Sequence, residues 1–168
     1  MGILAKETRA LQNPALGAAL LWQFVDAYYE ANPTHAGAPM PLLFVVLPMV
    51  LHEQIRSVIL STRRGSSLRA FAEKFSTSRM AQADVILSLQ SRVSSGRKLT
   101  MDSFELLMRC GMATVDPDSG RIIPSKTRGL KQQVSHSVDL LQRAAEYLGN
   151  WMGGLSVYET AVTLRLSF

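Results

Sequence analysis

The stretch Pro41–Leu51 constrains this chain more than any other, because it contains no polar side chain at all. A bilayer span needs roughly 20 such residues. His52, Glu53 and Arg56 close this run too early for that. The segment therefore belongs in the interior of a folded domain, and other elements must supply its cover. So short an apolar run does not by itself separate helix from strand. The pattern continues through Val50, Leu51, Ile55, Val58 and Ile59 at helical spacing, which predicts one helix from Pro41 to Ser61, kinked at Pro48. The first cover is a helix opened by Asn13-Pro14, Asn as N-cap and Pro at the first helical position. From Ala15 to Tyr29 only Gln23 and Asp26 are polar, so this helix is buried over most of its circumference.

The remaining segments are shorter and mostly amphipathic. Ser67 caps a helix through Phe75. Met80, Ala83, Ile86, Leu87, Leu89 and Val93 form one face of a helix from Ser78 to Ser94, broken by Ser94-Ser95-Gly96. Thr100 caps a helix to Cys110, with Gly111 in the left-handed position that ends it. Met112–Val115 and Arg121–Pro124 flank Asp116-Pro117-Asp118-Ser119-Gly120, the pattern of a β-hairpin. A long helix runs from Leu130 to Trp151, with Val134, Val138, Leu141, Ala145 and Leu148 aligned and Gly149, Gly153 and Gly154 marking its end. Ser156–Leu166 makes a last short helix. The predicted fold is mainly α with a small β-hairpin. It is one helical domain over residues 1–168 with a winged-helix-like part at about 78–125. A chain of this length buries a core without disulfides or metals.

Helix, turn, helix and hairpin in that order describe a winged helix-turn-helix. A module that reads bases places Arg, Lys, Asn or Gln on its second helix. Between Met101 and Arg109 this chain offers Asp102 and Glu105 against one arginine, and Asp116 and Asp118 sit at the wing tip. Base readout through this element is disfavoured. Cations lie elsewhere: Arg63, Arg64 and Arg69 around one loop, Arg92, Arg97 and Lys98 around the helix-turn-helix bend, and Lys126, Arg128 and Lys131 before the long helix. The net charge of +5 is too small for a strong nucleic-acid footprint. Arginines outnumber lysines, and their bidentate chemistry suits phosphate or carboxylate partners. Arg63, Arg64, Arg69, Arg97 and Lys98 are the candidate contacts, to a phosphate backbone or to an acidic partner. The ordinary reading of each is a solvated loop or helix-end charge.

No reacting constellation emerges. His35, His52 and His136 are far apart in sequence and match no metal-ligand spacing. Arg64-Gly65-Ser66-Ser67 lacks the glycine frame of a nucleophile elbow. The lone Cys110 forms no internal disulfide, and its helical surroundings predict a buried, inert thiol. No cofactor is expected. Met1–Thr8 lacks the apolar core of a secretion signal, and the chain is expected in the cytoplasm, off the membrane.

Three ordered stretches carry a resemblance: Asn13-Pro14-Ala15 leading into Leu20-Leu21-Trp22-Gln23-Phe24-Val25; Pro39-Met40-Pro41-Leu42-Leu43-Phe44-Val45-Val46-Leu47-Pro48 with Leu51-His52 and Arg56; and Ala145-Glu146-Tyr147-Leu148-Gly149-Asn150-Trp151. From about residue 13 to 165 the chain resembles the middle component of three-component ABC systems, including the small subunit of Lamassu-type defence systems. Glu53-Gln54-Ile55 and the tail Leu164–Phe168 depart from the family pattern. The resemblance implies a non-catalytic adaptor in an anti-phage or anti-plasmid complex. Its partners would be an SMC/ABC-type coiled-coil ATPase and an effector, often a nuclease, with DNA backbone contacted through the complex. The alternative is a small winged-helix transcription regulator, a homodimer binding specific DNA.

Overall fold

The computed structural model of the protein describes residues 12–77, 84, 88–126 and 135–168. Among them are eight helices and one two-stranded sheet, so the fold is mainly α with a small hairpin. Helix α1 spans Pro14–Ala31, and the Asn13 side chain accepts from the Ala15 amide at 2.9 Å. At its far end both the nitrogen and the oxygen of the Asn32 side-chain amide are engaged. Its Nδ2 donates to the Gly153 carbonyl at 2.9 Å, while its Oδ1 accepts from the Thr34 and Ala36 amides.

The apolar run forms α2, Met40–Leu51, and it lies at the centre of the described core, touching α1 and four later helices. Leu42, Leu43, Val45, Val46 and Val50 are wholly buried. Each contributes roughly 1.5–3 kcal/mol by leaving water. The expected continuous helix to Ser61 is corrected here. Pro48 lies inside α2, and the break falls at His52, where the chain turns by 97° into α3, Glu53–Ser61. His52 adopts extended angles (φ −84°, ψ 117°), and its Nδ1 accepts from the Ile55 amide at 3.4 Å. The Arg56 guanidinium reaches back to the carbonyls of Val50 (3.0 Å) and Leu51 (3.4 Å). Two polar side chains thus satisfy the backbone groups that a sharp corner exposes, which the proline alone does not do. No single described helix is long and apolar enough to cross a membrane.

Helix α4, Leu68–Thr77, is capped by Ser67 as expected, its Oγ accepting from Ala70 at 3.2 Å. The helix predicted from Ser78 to Ser94 lies mostly outside the described residues, and its last turns are α5, Leu89–Ser95. Helix α6 is Arg97–Arg109, beginning three residues before the predicted cap. Thr100 is buried inside α6 and caps nothing. Gly96, the joint between the two helices, keeps right-handed helical angles (φ −82°, ψ −2°). Its amide still bonds Arg92 and its carbonyl Thr100, so helical bonding carries across the joint. Gly111 then takes the expected positive φ of 66°.

Strands β1 (Ala113–Val115) and β2 (Ile122–Pro124) pair antiparallel, Ala113 opposite Pro124 and Val115 opposite Ile122. The hairpin does not project freely. Ala38 and Ile122 exchange both backbone bonds at 2.8 and 2.9 Å, and Arg121 donates to the Gly37 carbonyl at 3.0 Å. The loop between α1 and α2 therefore holds the hairpin against the body. Helix α7 is His136–Met152, opened by Ser135, so the part of the long helix predicted from Leu130 to Val134 lies outside the described residues. Its glycines correct another expectation. Gly149 is interior to α7 and marks a crossing. A Cβ there would lie 2.5 Å from the Phe24 carbonyl oxygen and 2.7 Å from Ala27 Cβ. Gly153 meets Tyr28 and Ala31 in the same way. Small residues one turn apart let α7 press onto the backbone of α1. Helix α8, Val157–Leu164, opens with a capping box in which Ser156 and Glu159 satisfy each other's amides.

Candidate functional site

The basic loop is built at the end of α3. Thr62 turns the chain out by donating its hydroxyl to the Val58 carbonyl at 2.8 Å. Two long-range bonds then fix the following residues. Trp151 Nε1 of α7 donates to the Arg64 carbonyl at 3.1 Å, and the Arg64 guanidinium pairs with Glu146 at 2.9 Å. That ion pair is largely solvated, with the Arg64 side chain 62 % exposed, and contributes at most ~1 kcal/mol. Arg63 and Arg69 are exposed, and their side chains make no hydrogen bond or ion pair among the described residues.

Beside this loop, α4 and α8 enclose an open cleft of about 350 Å³. Ser67, Leu68 and Arg69 form one wall; Trp151, Leu155, Tyr158 and Val162 form the other. Helix α8 turns Thr160 and Leu164 inward. Tyr158 and Val162, four residues apart on one face, point to solvent with 77 % and 59 % exposure. Glu159 also lines the cleft, but its carboxyl is engaged with the Ser156 amide and hydroxyl, which hold it below the usual carboxylate range.

Arg97 and Lys98 stand elsewhere, in the first turn of α6. Lys98 lines a second cleft of about 700 Å³ with Pro48, His52, Arg92 and Asp102, and the two clefts share no lining residue. The five cationic candidates thus form two groups and no single track. Lys98 pairs with Asp102 at 2.6 Å and Arg109 with Glu105 at 2.6 Å, each one turn apart. The early start of α6 also corrects its charge balance. With Arg97 and Lys98 included it carries three cations against two acids, and both acids are paired. At the hairpin tip Asp116 accepts from the Ser119 hydroxyl and amide, so that carboxylate, held below its usual range by those bonds, serves the turn itself.

The remaining reactive side chains are dispersed. Cys110 is exposed, contrary to the expected buried thiol, because α6 ends at Arg109 and leaves it as the cap. His35 bonds the Tyr29 carbonyl at 3.1 Å, His52 caps α3, and His136 opens α7. Burial lowers the His52 pKa, with the charges of Arg92 and Arg56 adding to the effect. Asp26 is raised by burial and by the nearby Glu30 and Glu146. Among the described residues no group of three or more His, Cys, Asp or Glu is placed to hold a metal ion. Sequence reasoning missed Tyr158 and Val162. In a short apolar helix they look like core, and only the packing of α8 on α4 shows which side faces out.

Fold and surface define a class: a mainly helical domain whose distinctive chemistry, among the described residues, is an exposed apolar face beside unpaired cations. The profile of the ABC-three component (ABC-3C) system Middle Component 3 family matches residues 1–168, and the chain belongs to that family. Neither the curated proteins nor the solved structures offer a match.

Proposed function

We propose that this protein is a non-catalytic adaptor of a bacterial anti-phage or anti-plasmid assembly of the Lamassu kind, working in the cytoplasm as one domain. It bridges an SMC/ABC-type coiled-coil ATPase and an effector, a nuclease by preference. The observation that carries the reading is the match of the whole chain to a family of middle components, a family defined by membership of a three-part system. The dispersal of histidines, cysteine and acids agrees with a role in binding. Arg63, Arg64 and Arg69 on one side, and Arg97 and Lys98 on the other, are the proposed contacts to acidic partner surface or to DNA backbone held by the complex.

The alternative, a winged-helix transcription regulator, has less support. Its wing is tied down through Ala38, and its joint is a single helical glycine where a helix-turn-helix uses a turn of three or four residues. Purification of the tagged protein from its native host, with mass spectrometry, separates the two. The adaptor reading expects a large coiled-coil ATPase and an effector in stoichiometric yield. A homodimer recovered alone, with salt-sensitive binding to a specific DNA sequence, overturns it.

A further inference from the structure

Tyr158 and Val162 present an apolar pair at helical spacing on a face of α8 that nothing among the described residues covers, at 77 % and 59 % exposure. A contiguous exposed apolar patch rimmed by polar groups is the usual mark of an interaction site, whereas apolar residues scattered singly are not. Leu68 and Trp151 line the cleft between them and α4, so an entering side chain would meet apolar surface. Its rim is cationic. Arg69 lines it with no ion pair among the described residues, and the loop carrying Arg63 and Arg64 is fastened to the lining residue Trp151 by the Trp151–Arg64 bond. Among the described residues the one carboxylate lining the cleft, Glu159, is committed to capping α8. An occupant therefore meets apolar anchorage beside uncompensated positive charge.

We infer that the α4–α8 cleft docks a segment of one of the two partner proteins, an amphipathic stretch with apolar side chains three or four residues apart and Asp or Glu flanking them. The apolar side chains pack on Tyr158 and Val162 and enter the cleft, and the carboxylates meet Arg69 and Arg63. Two other occupants fit less well. DNA backbone has no use for the Tyr158–Val162 face, which a phosphate track would leave uncovered. A second copy joined about a two-fold axis would set this patch against itself and bring like charges together. The inference rests on the adaptor reading and specifies which face of the adaptor is used.

The test replaces Tyr158 with a photo-cross-linking phenylalanine in the full chain, co-expressed with the ATPase and effector of its own system. Exposure of residue 158 makes the replacement harmless to the fold. The expected product is a cross-link to one segment of the ATPase or effector in which carboxylates lie within a turn of apolar residues. Arg69→Glu and Val162→Asp should each weaken that subunit's binding at least tenfold, with the wild-type affinity falling as salt rises, while Lys126→Glu on another surface leaves it unchanged. An assembly that forms normally overturns the docking site, and leaves the adaptor reading standing, if residue 158 cross-links to nothing, to DNA, to a second copy or to a segment without carboxylates. Affinity unmoved by Arg69→Glu and Val162→Asp does the same. If the wild-type chains form no assembly at all, the adaptor reading falls and the docking site with it.

Discussion

Gly149→Ala tests whether α1 and α7 are held as closely as the structure shows. In an exposed helix this change is favourable by about 1 kcal/mol, because alanine is the better helix former. Here the added methyl would lie 2.5 Å from the Phe24 carbonyl oxygen, 2.7 Å from Ala27 Cβ and 2.9 Å from the Tyr28 amide nitrogen. All three belong to backbone or to a side chain with no freedom to move aside. Overpacking against such neighbours costs roughly 3 kcal/mol, the upper part of the usual range. The net loss is then roughly 2 kcal/mol, or a melting temperature lower by ~4–8 °C for a domain of this size. Thermal melting followed by circular dichroism reads it, with a urea titration of unchanged slope showing that the unfolded state is the same. Gly154→Ala is the control, since nothing lies within 4 Å of a Cβ there. It should be neutral or stabilise by ~0.4–1 kcal/mol through the unfolded chain. A Gly149→Ala protein melting at or above the parent temperature refutes the close crossing.

Asp26 and Glu30, one turn apart on α1, repel each other, and burial with Glu146 raises the Asp26 pKa further. An acid whose folded pKa is raised favours the folded state while protonated, and that contribution is lost as pH rises through the folded value. Asp26→Asn should accordingly stabilise the protein at neutral pH by roughly 0.2–0.5 kcal/mol, with the gain vanishing in acid melts. His52 is shifted the opposite way, so the unfolded chain takes up its proton first. Stability should fall as pH drops below about 6.5 and level off below the depressed folded value. His52→Asn, which keeps a capping side chain, should flatten that slope in a pH series of denaturant titrations. Cys110, exposed at the end of α6, should react with a thiol reagent such as dithionitrobenzoate in the native protein as readily as in the unfolded one. Protection of the native thiol would contradict the placement of that helix end.

What could be read from the sequence was whatever is decided locally. Asn13-Pro14 fixes the start of α1 through a side-chain acceptor and a missing donor, Ser67 and Ser156 open their helices in the same way, and Asp116–Gly120 turns the hairpin. The errors fall where a distant residue decides. Pro48 looked like the corner of the apolar run, yet the corner sits at His52, because Arg56 reaches back to cap the broken end. Thr100 has the composition of a cap, but Gly96 stays helical and the helix begins before it. Gly149 reads as a terminator until α1 is placed against it, and Cys110 reads as core until the helix stops one residue earlier. The cationic candidates were visible as residue types. Their division between two clefts, and the outward Tyr158 and Val162, depend on how α4, α6 and α8 pack.

The bond from Asn32 to the Gly153 carbonyl joins residues 121 positions apart, and the Gly149 crossing joins the same two helices. This sets a timetable for the newborn chain. A ribosome adding about 5–20 residues per second needs ~6–24 s to deliver the cover that α1 requires. For most of that interval the wholly apolar α2 has also been made and lacks its contact with α7. The side of α2 that meets α7 thus waits for nearly the whole chain to be made, and the rate of translation sets the least time it waits.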